Sequence, residues 1–183
     1  ALDPMTPGEL LMKYRRDHLD SMQAALPVID EVDKKFAAAF GRSYGGAVDT
    51  YKLEDADLAL VTVGGMTGTA RDVVDELRAS GVKAGVLKLR FTRPFPAQRV
   101  KDALAHVKAF AVVDRSVSFG WDAGPMYVET CAALGDALAG KAHFSAIGGL
   151  GGADISMAHM AAVVDKLRSL NDAGRAETLW LMD

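Results

Sequence analysis

The chain has 183 residues, half of them hydrophobic, which is enough to build one substantial buried core. A net charge of −3 without runs of like charge gives no support for nucleic-acid binding, and no apolar run reaches the roughly 18 residues that span a membrane. A single cysteine, Cys131, excludes a disulfide framework or an iron–sulfur cluster held by this chain alone, and it favours a reducing, cytoplasmic location.

The N-terminal segment has the pattern of a long amphipathic helix over residues 6–40. Apolar residues recur three and four positions apart along it. Thr6 offers a capping hydroxyl, and Pro7 suits the first helical position. We expect Pro27 to kink or divide the helix and Gly41 to end it.

Residues 41–56 contain several glycines and no sustained period, which predicts a linker. Residues 1–56 are therefore expected to form a helical arm and linker that packs on a neighbouring domain or subunit. From residue 57 onward, short apolar runs alternate with longer helical segments, a pattern typical of βαβ units. We predict that residues 57–183 form an α/β domain: a three-layer, mostly parallel open sheet of about five strands with helices on both faces.

The order of the predicted elements follows from these alternations. The expected strands cover residues 58–63, 83–89, 109–113 and 143–147, with a short last strand at 178–182. The expected helices cover residues 69–80, 96–106, 125–139 and 156–170.

The loop after the first of these strands is rich in glycine and contains Gly64, Gly65 and Thr67. Glycine permits close approach of another group, and backbone N–H groups at the start of the next helix can hold an anion. The spacing matches neither a dinucleotide fingerprint nor a P-loop. A structural turn and a contact with a ligand or neighbouring domain are both open for this loop.

The next predicted strand, residues 83–89, is followed by Arg90 and Arg93, which lie in a segment stiffened by prolines. Guanidinium groups suit carboxylates and phosphates. An ion pair between Arg90 and Asp114, which we place at the neighbouring strand end, is an open alternative to an external partner.

The third strand leads into Asp114, Arg115 and Ser118. An adjacent aspartate and arginine can orient one another or reach across an interface, and the serine adds a hydroxyl. No serine–histidine–aspartate arrangement is readable in this loop.

Four glycines in five positions follow the fourth strand, at Gly148, Gly149, Gly151 and Gly152. They indicate a backbone pressed against a phosphate, a pantetheine arm or another subunit, or else a tight structural turn. No metal site is expected, because the four histidines lack ligand spacing, and Cys131 is expected to be a small core residue.

Three of these strand-end segments carry a family resemblance: Arg93-Pro94-Phe95-Pro96, Asp114 to Gly120, and Gly148 to Gly152. In this order they resemble the alpha subunit, or corresponding region, of pyruvate:ferredoxin oxidoreductases and related 2-oxoacid oxidoreductases. The matching part is similar to the transketolase C-terminal-like domain. Phe40 to Tyr44 and Leu2-Asp3-Pro4 extend the resemblance, so we expect a piece of a larger subunit, whereas Trp121-Asp122 departs from the pattern.

The resemblance implies an enzyme that uses thiamine diphosphate, Mg²⁺ and iron–sulfur clusters to oxidise a 2-oxoacid, commonly with coenzyme A, and passes electrons to ferredoxin or another acceptor. This chain contains no metal–diphosphate motif and no cluster cysteines. We therefore expect a non-catalytic domain, without cofactors of its own and inactive alone, that docks the thiamine diphosphate-binding subunit. The twelve strand-end residues named above would line the interface or a ligand channel. The substrate could be pyruvate, a branched-chain 2-oxoacid, 2-oxoglutarate or an aromatic 2-oxoacid.

Two other functions compete with this interpretation. One is the C-terminal domain of another transketolase-superfamily enzyme, such as a 2-oxoacid dehydrogenase beta subunit, and the loops after the third and fourth strands argue against it. The other is a free-standing anion- or nucleotide-binding α/β module, which the absence of a phosphate-binding fingerprint disfavours.

Overall fold

A computed structural model of the chain describes residues 5–182, so the Leu2-Asp3-Pro4 segment lies outside the described residues. The chain divides into two compact units. The first contains the residues up to Ala47 together with Phe91–Pro96, and the second contains Val48–Arg90 and the residues from Ala97 onward. The division of the chain at residue 56 stays a prediction.

The first unit is dominated by helix α1, Gly8–Phe40, which is 33 residues long. The helix continues through Pro27, so the predicted division there is not found; Pro27 is exposed, where water can satisfy the carbonyl that proline leaves unpaired. The N-cap residue is Pro7 rather than Thr6. The predicted end is confirmed, because Gly41 adopts a left-handed conformation with φ 68° and its N–H donates to the carbonyl of Ala37 at 2.8 Å.

The second unit is built on one mixed sheet with the strand order β1-β3-β2-β4-β5-β6, and β7 also pairs with β5. Only the β1–β3 pair is antiparallel among the described strands. The strands are β1 Val48–Tyr51, β2 Leu58–Val63, β3 Ala84–Leu89, β4 Ala109–Asp114, β5 Ala142–Ile147, β6 Gly174–Arg175 and β7 Leu179–Trp180. The predicted mostly parallel sheet is confirmed.

Helices cover both faces of this sheet. Helices α2 and α5 pack together against one face, and α3 and α4 pack together against the other. Alternate strand residues serve the two faces: Leu60 and Phe144 join the core under α2 and α5, whereas Val61 and Phe110 are equally buried outside that cluster. The helices are α2 Met66–Ala79, α3 Ala97–Ala103, α4 Pro125–Leu134 and α5 Met157–Ser169.

Several element boundaries differ from expectation. Strand β1 lies inside the segment predicted to be a linker, and its four residues are too few for an alternating pattern to stand out. Helix α2 begins at Met66, three positions earlier than expected, and α4 ends at Leu134, where a 3-10 turn over Gly135–Leu138 continues the segment. Within the described part of the chain, no helix combines the length and apolarity that crossing a membrane requires.

The strand order creates a topological switch point between β2 and β4. The chain leaves β2 through α2 towards β3 on one side, and it leaves β4 through α4 towards β5 on the other. Crevices that accept ligands or partners in open α/β sheets lie outside the carboxyl ends of the strands at such a point. The loops that begin at Gly64 and Arg115 diverge there.

Candidate functional site

The carboxyl end of the sheet brings three of the predicted loops together. Strands β2, β4 and β5 are neighbours and parallel, so the loops that follow them lie along one edge of the sheet. Arg90 follows β3, which is separated from β4 by β2. Arg93 belongs to the first unit, where Phe91 donates its N–H to the carbonyl of Ala47 at 3.2 Å.

Asp114, at the end of β4, turns inward. It is only 2% exposed, and its two carboxylate oxygens accept the backbone N–H groups of Met126 at 3.0 Å and Tyr127 at 3.1 Å. These N–H groups belong to the first turn of α4, which lacks partners within the helix, so Asp114 caps this helix from outside. The alternative of an Arg90–Asp114 pair is not formed, because β2 intervenes and the carboxylate is already satisfied.

Close packing around this carboxylate explains a glycine at position 124. A Cβ atom added to Gly124 would lie 2.2 Å from the Asp114 carboxyl carbon. Gly124 also donates its N–H to the hydroxyl of Ser145, at 3.0 Å. The β4–α4 junction is therefore held by the bonds of Asp114 to α4, by the hydrogen bond of Gly124 to Ser145 and by the close packing of Gly124 on Asp114.

The Asp114 carboxyl group predicts a pH-dependent free energy of unfolding. Burial raises its pKa from 3.8 to about 6, although the two N–H groups oppose the shift. The pKa of Asp114 is higher in the folded than in the unfolded protein, so its carboxyl group contributes fully to the free energy of unfolding below the unfolded-state pKa. This contribution, about 3 kcal/mol, is lost as the pH rises through the folded-state pKa.

We expect this decline in stability between about pH 4 and 7 to be absent from Asp114→Asn, whose amide does not titrate. Urea unfolding of both proteins across this range tests the expectation. Parallel curves of unfolding free energy against pH would show that Asp114 is not the group responsible.

Arg115 joins the loop after β4 to the loop after β5. Its Nη2 donates to the carbonyl oxygens of Gly149 at 3.2 Å and Ala153 at 3.1 Å. Gly149 has φ +68°, and a Cβ there would lie 2.9 Å from the Arg115 Nε atom. At Gly148, a Cβ would lie 2.9 Å from the Cβ of Leu181. These two glycines thus permit close contacts within the chain itself.

The other loop glycines face outward. Gly151 and Gly152 have φ +64° and +89°, and an added Cβ would meet nothing within 4 Å. An added Cβ would also meet nothing within 4 Å at Gly64 and Gly65 after β2, and all four glycines are exposed. Their bare backbone is available at the carboxyl end of the sheet, and their part in an interface or channel stays a prediction.

Thr67 fixes the loop after β2 from inside. The threonine is buried in the first turn of α2, where its hydroxyl donates to the carbonyl of Gly64 at 2.9 Å and lies 2.9 Å from the hydroxyl of Thr62. This local bond explains why α2 begins earlier than predicted, since it joins the helix start to the strand end.

An aromatic tip that was not among the predicted site residues rises from the loop after β4. The Ser118 N–H donates to the Ala123 carbonyl at 2.9 Å, and the Trp121 N–H donates to the Ser118 carbonyl at 3.0 Å, which makes a closed turn. Phe119 and Trp121, at 101% and 59% exposure, protrude from it. Two aromatic residues on either side of Gly120 were the available signal: the sequence analysis places Phe119 in the segment that resembles the family and Trp121 in the departure from it.

The aromatic tip is anchored to the C-terminal segment. The carbonyl oxygen of Asp122 accepts bonds from the Arg175 guanidinium and from the Thr178 hydroxyl, the latter at 2.8 Å. Arg175 belongs to β6, so the turn is braced against the edge of the sheet. Rigid support of this kind lowers the entropy lost when exposed aromatic rings bind a partner.

A cavity of about 290 Å³ lies beside the last glycine loop, with Leu150, His159, Trp180 and Met182 in its wall. A larger one, of about 550 Å³, lies at the opposite, amino end of the strands, where Lys108 pairs with Asp57 at 2.8 Å. The larger cavity therefore does not contain the predicted loops.

The remaining titratable groups of interest form an internal cluster. The Tyr127 hydroxyl lies 2.8 Å from Nδ1 of His143, whose ring stacks on Phe110 at 5.4 Å. Burial, with a smaller effect from Arg175, lowers the pKa of His143, and burial raises the pKa of the Cys131 thiol. Across residues 5–182, no set of three or more histidine, cysteine, aspartate or glutamate side chains is placed to hold a metal ion.

Comparison with known proteins identifies the family. Residues 56–160, more than half of the chain, match pyruvate:ferredoxin oxidoreductase core domain II. The chain is 42% identical over 189 aligned residues to the NADH-dependent phenylglyoxylate dehydrogenase subunit alpha of Aromatoleum evansii, covering 99% of this chain and 45% of that protein. It is 36% identical over 180 residues to the pyruvate synthase subunit PorA of Methanosarcina barkeri, covering 94% of this chain and 44% of that protein.

A solved structure supports the fold. The 2-oxoglutarate:ferredoxin oxidoreductase from Magnetococcus marinus matches with a TM-score of 0.51 and 19% identity, over 71% of this chain and 20% of that chain. This chain spans less than half the length of the curated relatives that it matches. It belongs to the pyruvate:ferredoxin oxidoreductase family, in the region of the alpha subunit that contains core domain II.

Proposed function

We propose that this chain is a non-catalytic docking domain of a thiamine diphosphate- and iron–sulfur-dependent 2-oxoacid oxidoreductase. The enzyme would oxidatively decarboxylate pyruvate or a related 2-oxoacid to an acyl-coenzyme A and pass electrons to ferredoxin or another acceptor in the cytoplasm. One observation carries the docking role: polar side chains at the carboxyl end of the sheet hold the loops in place, while glycine backbone and aromatic rings face outward.

The inward bonds separate supporting residues from contact residues. Asp114, Arg115 and Thr67 each bond to the chain's own backbone, and Gly148 and Gly149 pack closely against the side chains of Leu181 and Arg115, respectively. The surface that we propose for a partner comprises the exposed glycines, the turn at Ser118 and the aromatic tip, together with Arg90 after β3. Arg93, on the first unit, is proposed as a separate contact. The list of contact residues that we propose is Gly64, Gly65, Arg90, Arg93, Ser118, Phe119, Trp121, Gly151 and Gly152.

The residues present do not fit a thiamine diphosphate site. Asp114 is a buried carboxylate at the switch point, but it accepts two backbone N–H groups of α4 and is not free to bind Mg²⁺. We therefore place the cofactor, its Mg²⁺ and the clusters on other parts of the enzyme, and we assign this chain no step of the reaction.

Enzyme assays test this division of labour. The complex purified through a tag on this chain should oxidise one or more members of a panel of pyruvate, 2-oxoisovalerate, 2-oxoglutarate and phenylglyoxylate, with coenzyme A and a viologen acceptor. The isolated chain should oxidise none of them. Micromolar binding of nucleotides to the isolated chain, measured by calorimetry, would instead favour a free-standing binding module.

The arm should contribute to assembly rather than to folding of the α/β unit. Helix α1 has no buried residue, although Leu10, Leu11 and Leu19 are among its large apolar side chains. Deletion of residues 6–40 should therefore weaken association with the other subunits by about tenfold or more, since an unburied apolar helix face is a docking feature. Circular dichroism that showed loss of the α/β fold in the deletion variant would contradict this expectation.

A further inference from the structure

The segment that follows α1 forms a compact cluster around one arginine. We call Phe36, Phe40, Arg42 and Tyr44 the Arg42 cluster. The Arg42 guanidinium carbon lies 5.4 Å, 6.0 Å and 5.8 Å from the ring centres of Phe36, Phe40 and Tyr44, respectively. Its Nε donates to the Tyr44 hydroxyl at 2.9 Å. The guanidinium is thus oriented by three aromatic faces, which attract a cation electrostatically.

The backbone around Arg42 is fixed by one carboxylate of α1. Asp33 accepts the Ser43 hydroxyl at 2.5 Å and the Tyr44 N–H at 3.0 Å. The Gly45 N–H donates to the Ser43 hydroxyl oxygen at 3.0 Å. These bonds hold the residues after Gly41 against α1, so the Arg42 cluster has a defined conformation before it binds a partner.

Arg42 differs from other cations of the same helix region in its partners. Lys13 pairs with Asp17 at 2.8 Å, Lys35 pairs with Glu31 at 2.6 Å, and Arg16 pairs with Asp20 at 3.2 Å. Arg42, in contrast, forms no ion pair within residues 5–182, and its two Nη groups make no hydrogen bond there.

The cluster presents apolar surface beside this cation. Phe40 is 62% exposed and Tyr44 is 45% exposed. Arginine and tyrosine flanked by further aromatic surface have the composition of an interface hot spot. Two parallel Nη donors match the two oxygens of a carboxylate.

We propose that the Arg42 cluster binds the carboxylate of an aspartate or glutamate on another polypeptide of the oxidoreductase complex. The inference rests on the proposed docking function and names one of its contacts. A protein carboxylate fits better than a phosphate group, because a single guanidinium balances the one negative charge of a carboxylate and not the nearly two of a phosphate.

Zero-length cross-linking identifies the partner directly. Arg42→Lys places a primary amine at this position, and a carbodiimide couples an amine to a carboxylate only when the two are in contact. In the purified complex, we expect a cross-linked peptide that joins position 42 to an aspartate or glutamate of another subunit. Cross-links from Lys34 and Lys35 without one from position 42 would overturn the proposal.

Affinity measurements provide the second test. Arg42→Ala should raise the dissociation constant of this chain from the complex about 10- to 100-fold. Arg168→Ala is the matched control, since Arg168 is 51% exposed and has a local partner in Asp165; it should leave the constant unchanged. Equal constants for wild type, Arg42→Ala and Arg168→Ala would contradict the proposal.

The outcomes separate this inference from the proposed function. If the wild-type chain assembles and Arg42→Ala assembles equally well, only the carboxylate contact is wrong. If the wild-type chain joins no complex, the docking function itself is wrong. A homodimer of the chain that Arg42→Ala dissociates, seen by analytical ultracentrifugation, would replace the proposed partner with a second copy.

Discussion

Gly124→Ala is expected to destabilise the α/β unit by about 3 kcal/mol, the upper part of the range for overpacking a buried site. The added Cβ would lie 2.2 Å from the Asp114 carboxyl carbon, so either the carboxylate or α4 must move. Movement of Asp114 would break its bonds to Met126 and Tyr127 and leave a buried charge without its donors. Urea unfolding of the two proteins gives the difference in unfolding free energy.

Gly68→Ala is the matched control for this substitution. Gly68 lies inside α2, an added Cβ meets nothing within 4 Å, and its φ is compatible with alanine. The control should therefore stabilise the chain by about 0.5–1 kcal/mol through the unfolded state and helix propensity. Similar destabilisation by both substitutions would mean that the close approach at Gly124 is not what requires glycine.

Simultaneous replacement of Phe119 and Trp121 by alanine should weaken assembly about 100-fold with little change in unfolding free energy. Both rings are exposed, so their removal costs the isolated chain little packing, whereas aromatic anchors commonly dominate interface energetics. The turn that carries them should remain, because it is closed by backbone bonds and by the bonds of Asp122 to Arg175 and Thr178.

Phe119→Tyr is the control for the aromatic tip, since it keeps the ring and should retain most of the affinity. Surface-immobilised chain titrated with the remaining subunits measures the dissociation constants. Unchanged affinity of the double variant would exclude the aromatic tip from the interface, and a large drop in its unfolding free energy would assign the two rings a structural role.

Hydrophobic periodicity was sufficient for the regular elements of the fold. The strand expected at residues 58–63 is observed as Leu58–Val63, because a buried parallel strand is a continuous apolar run. Strand β1 and the two-residue strand β6 were not predicted. Such short edge strands contain neither a run of apolar residues nor an alternation of apolar and polar residues. Helix α1 was predicted with its correct end, because Gly41 combines a termination signal with the required left-handed φ.

The roles of individual loop residues were much less accessible. The sequence identified Asp114 and Arg115 as notable but left open whether they face a partner or the chain itself. The answer depends on non-local geometry: Asp114 meets α4 across a loop, and Arg115 reaches carbonyls 34 and 38 positions away. Likewise, the glycine pattern does not distinguish Gly149 from Gly151. A Cβ atom at Gly149 would collide with Arg115, whereas one at Gly151 would meet open space.

Native mass spectrometry of the endogenous complex, combined with metal analysis, determines whether this chain is part of a 2-oxoacid oxidoreductase. We expect this 19.4 kDa polypeptide region to be found together with other subunits, thiamine diphosphate, iron and acid-labile sulfide. A lone species without partners or cofactors would contradict the assignment of this chain as a docking domain of a 2-oxoacid oxidoreductase.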